Sequence, residues 1–269
     1  MKKKFKFGVV GAGFMSSAII NGAIASKVLK PKQIIVSDVR TESLDIISKK
    51  GVSTTKDNSY LCNNAEFVLF AVKPQNLADV LDQIKGCGCD KLISIMAGIK
   101  KERIKQVFSS SKVARCMPNT PCSIGCGAVG IDLSDYTDEK DLGFIKSLFS
   151  SFAEVVVVDE DKLNAVTGVS GSGPAYFYLF LKSIIDAGVK NGLSEQDAKN
   201  LAVNTMIGAG YMVKNNTDKT IDQLIDAVCS KGGTTIEAIN TFKNENLLEI
   251  SKKAVDACVK RSTELENLW

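Results

Sequence analysis

The stretch that most constrains this chain is Gly11-Ala12-Gly13-Phe14-Met15-Ser16-Ser17-Ala18. The apolar run Phe7-Gly8-Val9-Val10 precedes it, and Met15, Ala18, Ile19, Gly22 and Ala23 follow at helical spacing. Two glycines therefore stand where a buried strand turns directly into a helix, the context that a dinucleotide-binding turn requires. Gly11 permits the tight turn, and Gly13 lets backbone approach a pyrophosphate closely. The helix N-terminus presents free N–H groups and a partial positive charge to the anion. Ala18 stands where a third small residue lets helix and strand pack. The competing reading is an ordinary glycine turn in an α/β protein.

The following segments extend the same pattern. Ile34–Ser37 reads as a second strand with Asp38 at its tip. Phe67–Val72 is a continuous apolar run, as in a strand covered on both faces. It ends at Lys73-Pro74-Gln75, and an amphipathic helix follows with Leu77, Val80, Leu81 and Ile84 on one face. Leu92–Met96, Val113–Met117, Ala128–Ile131 and Val155–Val158 are further strands. This predicts an α/β fold over 1–158, a Rossmann-type, mainly parallel sheet with helices on both faces. The loops at Lys73-Pro74, Ala97-Gly98 and Asn119-Thr120 then share the edge where such sheets bind ligands. An acid at the tip of the second strand holds the ribose hydroxyls of NAD and repels the extra phosphate of NADP. Arg40, two residues on, favours that phosphate; the alternative is that Asp38 and Arg40 are solvated turn charges.

Strand signals stop after Asp159. Helices are expected over Pro174–Gly192, from Ser194 toward Met212, over Ile221–Val228 and over Leu247–Leu268, so 159–269 reads as all-helical. Its apolar helices exceed what one chain covers, which predicts a dimer built from this half. Two more glycine loops, Ser170–Tyr176 and Cys229–Thr235, precede helices and can aim N–H groups at an anion. A carboxylate-bearing substrate suits a second anion site. For Gly232-Gly233-Thr234-Thr235 the alternative is a plain helix start with Thr as N-cap.

Composition removes whole classes of function. Net charge is +4, from 34 basic and 30 acidic residues spread throughout, which points away from nucleic acid and membrane surfaces. No stretch approaches a membrane span. Eight cysteines without a secretory signal read as free thiols of a cytoplasmic protein. Cys116, Cys122 and Cys126 match no zinc spacing, and the chain contains no histidine, so we expect no metal site and no Ser-His-Asp chemistry.

Taken together, five motifs resemble the Δ1-pyrroline-5-carboxylate reductase family: Gly11–Ala18, Ala71–Gln75, Arg115–Pro121, Ser170–Tyr176 and Gly232–Thr235. They stand in family order over nearly the whole chain. The resemblance implies NAD(P)H-dependent reduction of 1-pyrroline-5-carboxylate to L-proline, the final step of proline biosynthesis. NADPH is the usual cofactor, with NADH also usable here because of Asp38. It further implies an N-terminal Rossmann domain and a C-terminal helical domain that interleaves into a homodimer, with dimers often building into a decamer. By position, cofactor contacts fall on Val10, Gly11, Ala12, Gly13, Phe14, Met15, Asp38, Asn58, Ala71, Val72, Lys73, Pro74, Met96, Ala97 and Gly98. Arg40 and Asn119 join them from their places at strand tips. Substrate contacts fall on Asp218, Thr234 and Thr235, and the N–H groups of Gly232, Gly233 and Thr234 are suited to the carboxylate. Thr235 is the candidate catalytic residue, as hydrogen-bond donor or proton conduit to the ring nitrogen. The chain departs from the family pattern at Lys231, usually proline, and at Ala227, usually Asn. Two other readings share this architecture. A β-hydroxyacid dehydrogenase needs a lysine soon after its second glycine loop, whereas the first after Gly173 is Lys182. A non-catalytic NADP sensor has no reason to keep Thr234-Thr235.

Overall fold

The structure, a computed structural model, describes residues 3–109 and 111–268. It divides into two compact units. One comprises the chain up to Ser172 and again from Cys258, and the other spans Gly173–Ala257.

In the first unit the elements run β1 (Phe5–Val10), α1 (Phe14–Ala25), β2 (Ile34–Ser37), α2 (Thr41–Ser48), β3 (Ser53–Thr55), α3 (Asn58–Asn64), β4 (Ala65–Phe70), α4 (Leu77–Ile84), β5 (Lys91–Ser94) and α5 (Lys101–Lys105). They continue with β6 (Lys112–Pro118), β7 (Gly127–Asp132), α6 (Glu139–Ser150), β8 (Ala153–Val157) and α7 (Leu163–Val166). The eight strands form one sheet in the order β3-β2-β1-β4-β5-β6-β7-β8. All neighbours are parallel except β6 and β7. The chain thus winds outward from β1 in one direction and from β4 in the other.

Burial explains the apolar runs. Phe67 and Leu69 enter one core, with Phe7, Ile19, Ile34 and Phe149, while Val68 and Phe70 enter the other, with Leu61, Leu77, Leu81 and Ile84. Adjacent residues of one strand face opposite layers, so every position must be apolar. α4 is amphipathic for the complementary reason: Leu77, Val80, Leu81 and Ile84 form one buried stripe. The short half-buried strand Ser53-Thr54-Thr55 gave no apolar signal and was not anticipated. Ala71 and Val72, expected inside a strand, lie just beyond the end of β4.

The first unit continues past the boundary expected at residues 158 and 159. α7 packs so closely on β7 that a Cβ at Gly130 would lie 2.6 Å from Val166. Ser170-Gly171-Ser172 is not an open loop. It completes a π-helical turn over Thr167–Gly171 in which the Ser172 N–H donates to the Thr167 carbonyl at 2.9 Å. That N–H is spent internally, which argues against the anion role inferred for this loop.

The second unit is all-helical: α8 (Gly173–Lys190), α9 (Glu195–Asn215), α10 (Ile221–Val228), α11 (Thr234–Asn244) and the start of α12 (Leu247–Glu266). Ser194 caps α9 by accepting from the Asp197 N–H, and Thr220 with Gln223 forms a capping box on α10. The α8–α9 turn is tight because Gly188 lets the Ala198 methyl approach. Phe180 and Phe242 pack with ring centroids 6.0 Å apart and planes tilted by 48°. Large apolar side chains nevertheless remain exposed, among them Phe177, Tyr178, Leu179, Leu201, Ile207 and Tyr211.

Candidate functional site

The winding reverses between β1 and β4, and their C-terminal ends form the crevice where open α/β sheets take ligands. Three backbone strands meet there. The Gly11 N–H donates to the Ser37 carbonyl at 2.8 Å, and the Ala71 N–H donates to the Val10 carbonyl at 2.9 Å. Gly11 has φ +103°, and a Cβ on it would lie 2.8 Å from the Ala71 carbonyl oxygen. Only glycine satisfies both conditions. Gly13 differs: its backbone is extended and a Cβ on it would meet nothing within 4 Å. It is the N-cap of α1 and offers no side chain, so the first-turn N–H groups at Phe14 and Met15 remain directed outward. This is a cradle open on its ligand side and closed behind.

Asp38 is built into that cradle. Its Oδ2 accepts from the Ala12 N–H at 2.8 Å, and its Oδ1 accepts from the Arg40 N–H at 2.8 Å and from Arg40 Nε at 3.2 Å. Burial pushes the Asp38 carboxyl up, but the hydrogen bonds from Arg40 and Ala12 outweigh it and hold the group below the usual carboxylate value. Arg40 remains exposed on the outer side of the pair. Asp38 is thus more than a solvated turn charge, while the Arg40 side chain stays 60% exposed. Asn58 accepts from the Ser37 hydroxyl at 2.6 Å and donates to Gln83 at 2.7 Å, tying β2 to α4.

The other predicted residues divide by exposure. Lys73 and Ala97 are exposed on the same edge, Ala71, Val72 and Pro74 are half-buried, and Met96 and Gly98 are buried behind them. Asn119 Oδ1 accepts from the Ala128 N–H at 2.9 Å, an internal tie from the end of β6 to β7. A groove of about 380 Å³ lined by Asp132, Lys146 and Val157 lies at the ends of β7 and β8. Because β7 is antiparallel to β6, those ends are on the edge opposite the glycine loop.

In the second unit, Gly233 is the N-cap of α11, and no side chain caps its first turn. Thr234 is therefore the first helical residue rather than the cap. Gly232 turns the chain with φ +71°, and the Gly233 N–H closes the turn onto the Ser230 carbonyl at 3.0 Å. Thr234 is exposed, Thr235 is half-buried behind it, and Asp218 is exposed before α10. The uncapped turn is suited to a carboxylate.

Gly13 separates binding from stability. A Gly13→Ala variant should melt within about 1 kcal/mol of the parent, since an N-cap change alone costs about that much. Its dinucleotide affinity should fall at least tenfold. Calorimetric titration beside a thermal melt checks both, and unchanged affinity would place the pyrophosphate elsewhere.

Residues 160–265 match the family model for pyrroline-5-carboxylate reductase dimerisation, and residues 6–98 match that for coenzyme F420-dependent NADP oxidoreductase. A pyrroline-5-carboxylate reductase of Synechocystis is 37% identical over 97% of this chain and 98% of its own length. One from Haemophilus influenzae is 37% identical over 97% of each. Among solved structures, that from Coxiella burnetii superposes with a TM-score of 0.90 at 32% identity, covering 98% of this chain and 99% of its own. The Plasmodium falciparum enzyme, with NADP bound, gives 0.86 at 30% identity, covering 99% and 100%. With matched relatives along nearly its whole length, the chain belongs to the pyrroline-5-carboxylate reductase family.

Proposed function

We propose that the chain reduces 1-pyrroline-5-carboxylate to L-proline with NAD(P)H, and that the Gly232–Thr235 turn holds the substrate. The observation that supports this assignment is the uncapped N-terminus of α11, whose first-turn N–H groups have no side-chain acceptor and suit an anion. The Gly233 N–H, expected to share in this, is spent on the Ser230 carbonyl at 3.0 Å, so the N–H groups of Gly232 and Thr234 bind the carboxylate, and Asp218 lies just before the preceding helix. The dinucleotide, when bound, supplies the hydride. The protein's remaining task is to hold the imine and bring a proton to its nitrogen. Thr235 performs it as a conduit, its hydroxyl hydrogen-bonding the ring nitrogen and regaining from solvent water the proton that it passes on. The chain contains no histidine for this purpose, and an iminium needs little more than orientation. Thr235→Ala should lower kcat by about 10²–10⁴-fold, the range of a positioned proton transfer, while cofactor affinity stays constant. Steady-state kinetics with pyrroline-5-carboxylate checks this, and near-normal turnover would remove Thr235 from the chemistry.

The region 1–158 provides the cofactor site and 159–269 provides substrate and subunit contacts. Gly11–Met15 take the pyrophosphate, with Val10 behind them; Asp38, Arg40 and Asn58 border the adenosine ribose. Ala71–Pro74, Met96–Gly98 and Asn119 border the other half of the crevice. Asp38 already carries Arg40 as counter-charge, so its repulsion of a 2′-phosphate is largely offset and both cofactors work. Arg40→Ala should shift the kcat/KM ratio toward NADH by about tenfold, equivalent to about 1.4 kcal/mol. Asp38→Ser should weaken both cofactors, because the Ala12 N–H loses its acceptor. An unchanged ratio in Arg40→Ala would disprove the ribose assignment.

The exposed apolar faces of α8 and α9 support a homodimer formed through the helical region, with decamers as a further assembly. Eight free thiols support a reducing, cytoplasmic location. No helix among the described residues is long and apolar enough to cross a membrane. Sedimentation should show a dimer or larger species, and Leu179→Glu with Leu201→Glu should dissociate it. A well-behaved wild-type monomer would refute the assembly.

A further inference from the structure

Three distant segments converge beneath the Met96–Lys101 loop. Arg115 lies on β6, opposite Ser94 at the end of β5. Its side chain is 5% exposed, and its two terminal nitrogens reach different carboxylates. One donates to Glu266 at 2.7 Å, the other to Glu160 at 3.3 Å. Glu160 also accepts from the Lys101 N–H at 2.8 Å, fixing the exit of the loop at the start of α5. Glu266, 4% exposed, accepts from Asn164 at 3.0 Å and lies 3.6 Å from the Lys100 ammonium. Asn164 accepts from the Ser262 hydroxyl at 2.7 Å. The preceding residue, Leu265, closes the middle of the loop. Gly98 has φ +73°, and a Cβ on it would lie 3.3 Å from Leu265 Cβ.

All three parts of the loop are therefore held from behind: Gly98 by Leu265, Lys100 by Glu266 and the Lys101 backbone by Glu160. Ala97 is left facing outward. A buried guanidinium shared between two carboxylates costs several kcal/mol of desolvation and is retained only with good geometry. Hydrophobic packing could anchor a helix end without it. A rigid charged network fixes direction, which packing alone does not, and here the direction fixed is that of the loop.

We propose that Arg115 and Glu266 are positioning residues for the cofactor, holding the Met96–Gly98 loop in its binding conformation through the last turn of α12. This rests on the reading that the loop contacts the dinucleotide. Both side chains are nearly buried beneath the loop, so the pair acts through it. Cofactor affinity consequently depends on the docking of the C-terminal turn, more than 150 residues along the chain from Met96–Gly98.

The test compares Glu266→Gln, Arg115→Met and their double variant with the parent, using full-length protein. Glu266→Gln should raise the NADPH dissociation constant about tenfold by calorimetric titration and leave the substrate KM at saturating cofactor within twofold. Hydrogen exchange without cofactor should accelerate at Ile95–Lys101 and not in β1 or α4. The double variant should lose no more affinity than the worse single one, as for two groups acting as one unit. Uniformly faster exchange with unchanged affinity would show a merely structural pair and overturn the proposal. Ser262→Ala, which removes only the support of Asn164, gives a milder version of the same pattern if Glu266→Gln does not fold; a Ser262→Ala protein with parental affinity and parental loop exchange would overturn the proposal. Ala97→Leu tests the underlying reading. If Ala97→Leu leaves NADPH affinity unchanged, the loop is not a cofactor contact. If it weakens binding while Glu266→Gln does not, the loop reading stands and the brace is wrong.

Discussion

The structure depends first on the crossing of backbone at Gly11. The N–H of Gly11 is held by β2 and the carbonyl of Val10 by the residue after β4. Three strand ends are therefore registered at the point where the winding reverses. The positive φ at Gly11 is needed to leave β1 and enter α1 within three residues, and the Ala71 carbonyl occupies the space of any side chain. Everything on that sheet edge is placed relative to this crossing. The cradle at Gly13, the tip of β2 and the loop after β5 follow from the register of β1 with β2 and β4.

Charge is then used to hold loops more than to hold the core. Asp38 ties the glycine turn to β2 through Ala12, and the Arg115 network ties the Met96–Lys101 loop to a distant helix end. The nearly buried Lys101 ammonium also pairs with Asp132, and Asp135 pairs with Lys101 and Lys105. Asp38, Asp135 and Glu266 are all held below the ordinary carboxylate value and depend on pH in one direction. Burial raises Glu266, but Arg115 and Asn164 hold it below its ordinary value. Its stabilising contribution is present above the ordinary carboxylate range and is lost as pH falls through the depressed value. Loop order and fold stability therefore weaken together on acidification.

The helical unit follows a different economy. Its helix starts are well specified, by Ser194 on α9 and by Thr220 with Gln223 on α10. Its packing is not self-sufficient: aromatic and aliphatic side chains on α8 and α9 remain open to water. A patch of that kind marks a surface that another polypeptide covers. The start of α11 carries no capping side chain, and it belongs to the glycine turn assigned to the substrate.

Much of this was legible in the sequence for local reasons. Strand runs such as Phe67–Phe70 are apolar throughout because both faces are covered, and the α4 stripe follows the helical period. Gly11 and Gly13 announce themselves because their requirements are set by neighbouring residues. The boundary near residue 158 was less legible, since α7 and the end of α12 join the first unit by packing that leaves no periodic signal. Ser170–Gly173 looked like an anion loop because composition does not reveal that its N–H groups are spent in a π-helical turn. β3 is too short and polar to show a period. Asp38 was visible as an acid at a strand tip, but its bond to Ala12 spans 26 residues. Arg115 and Glu266 are 151 residues apart, and no spacing rule connects them. By itself, the sequence determined most of the elements and the glycine cradle, because these rest on local backbone geometry and apolar period, and its five motifs carried the class of chemistry through their resemblance to a family. Tertiary structure alone decided which charges meet, because ion-pair geometry depends on where the sheet register and a returning helix place side chains that the chain keeps far apart.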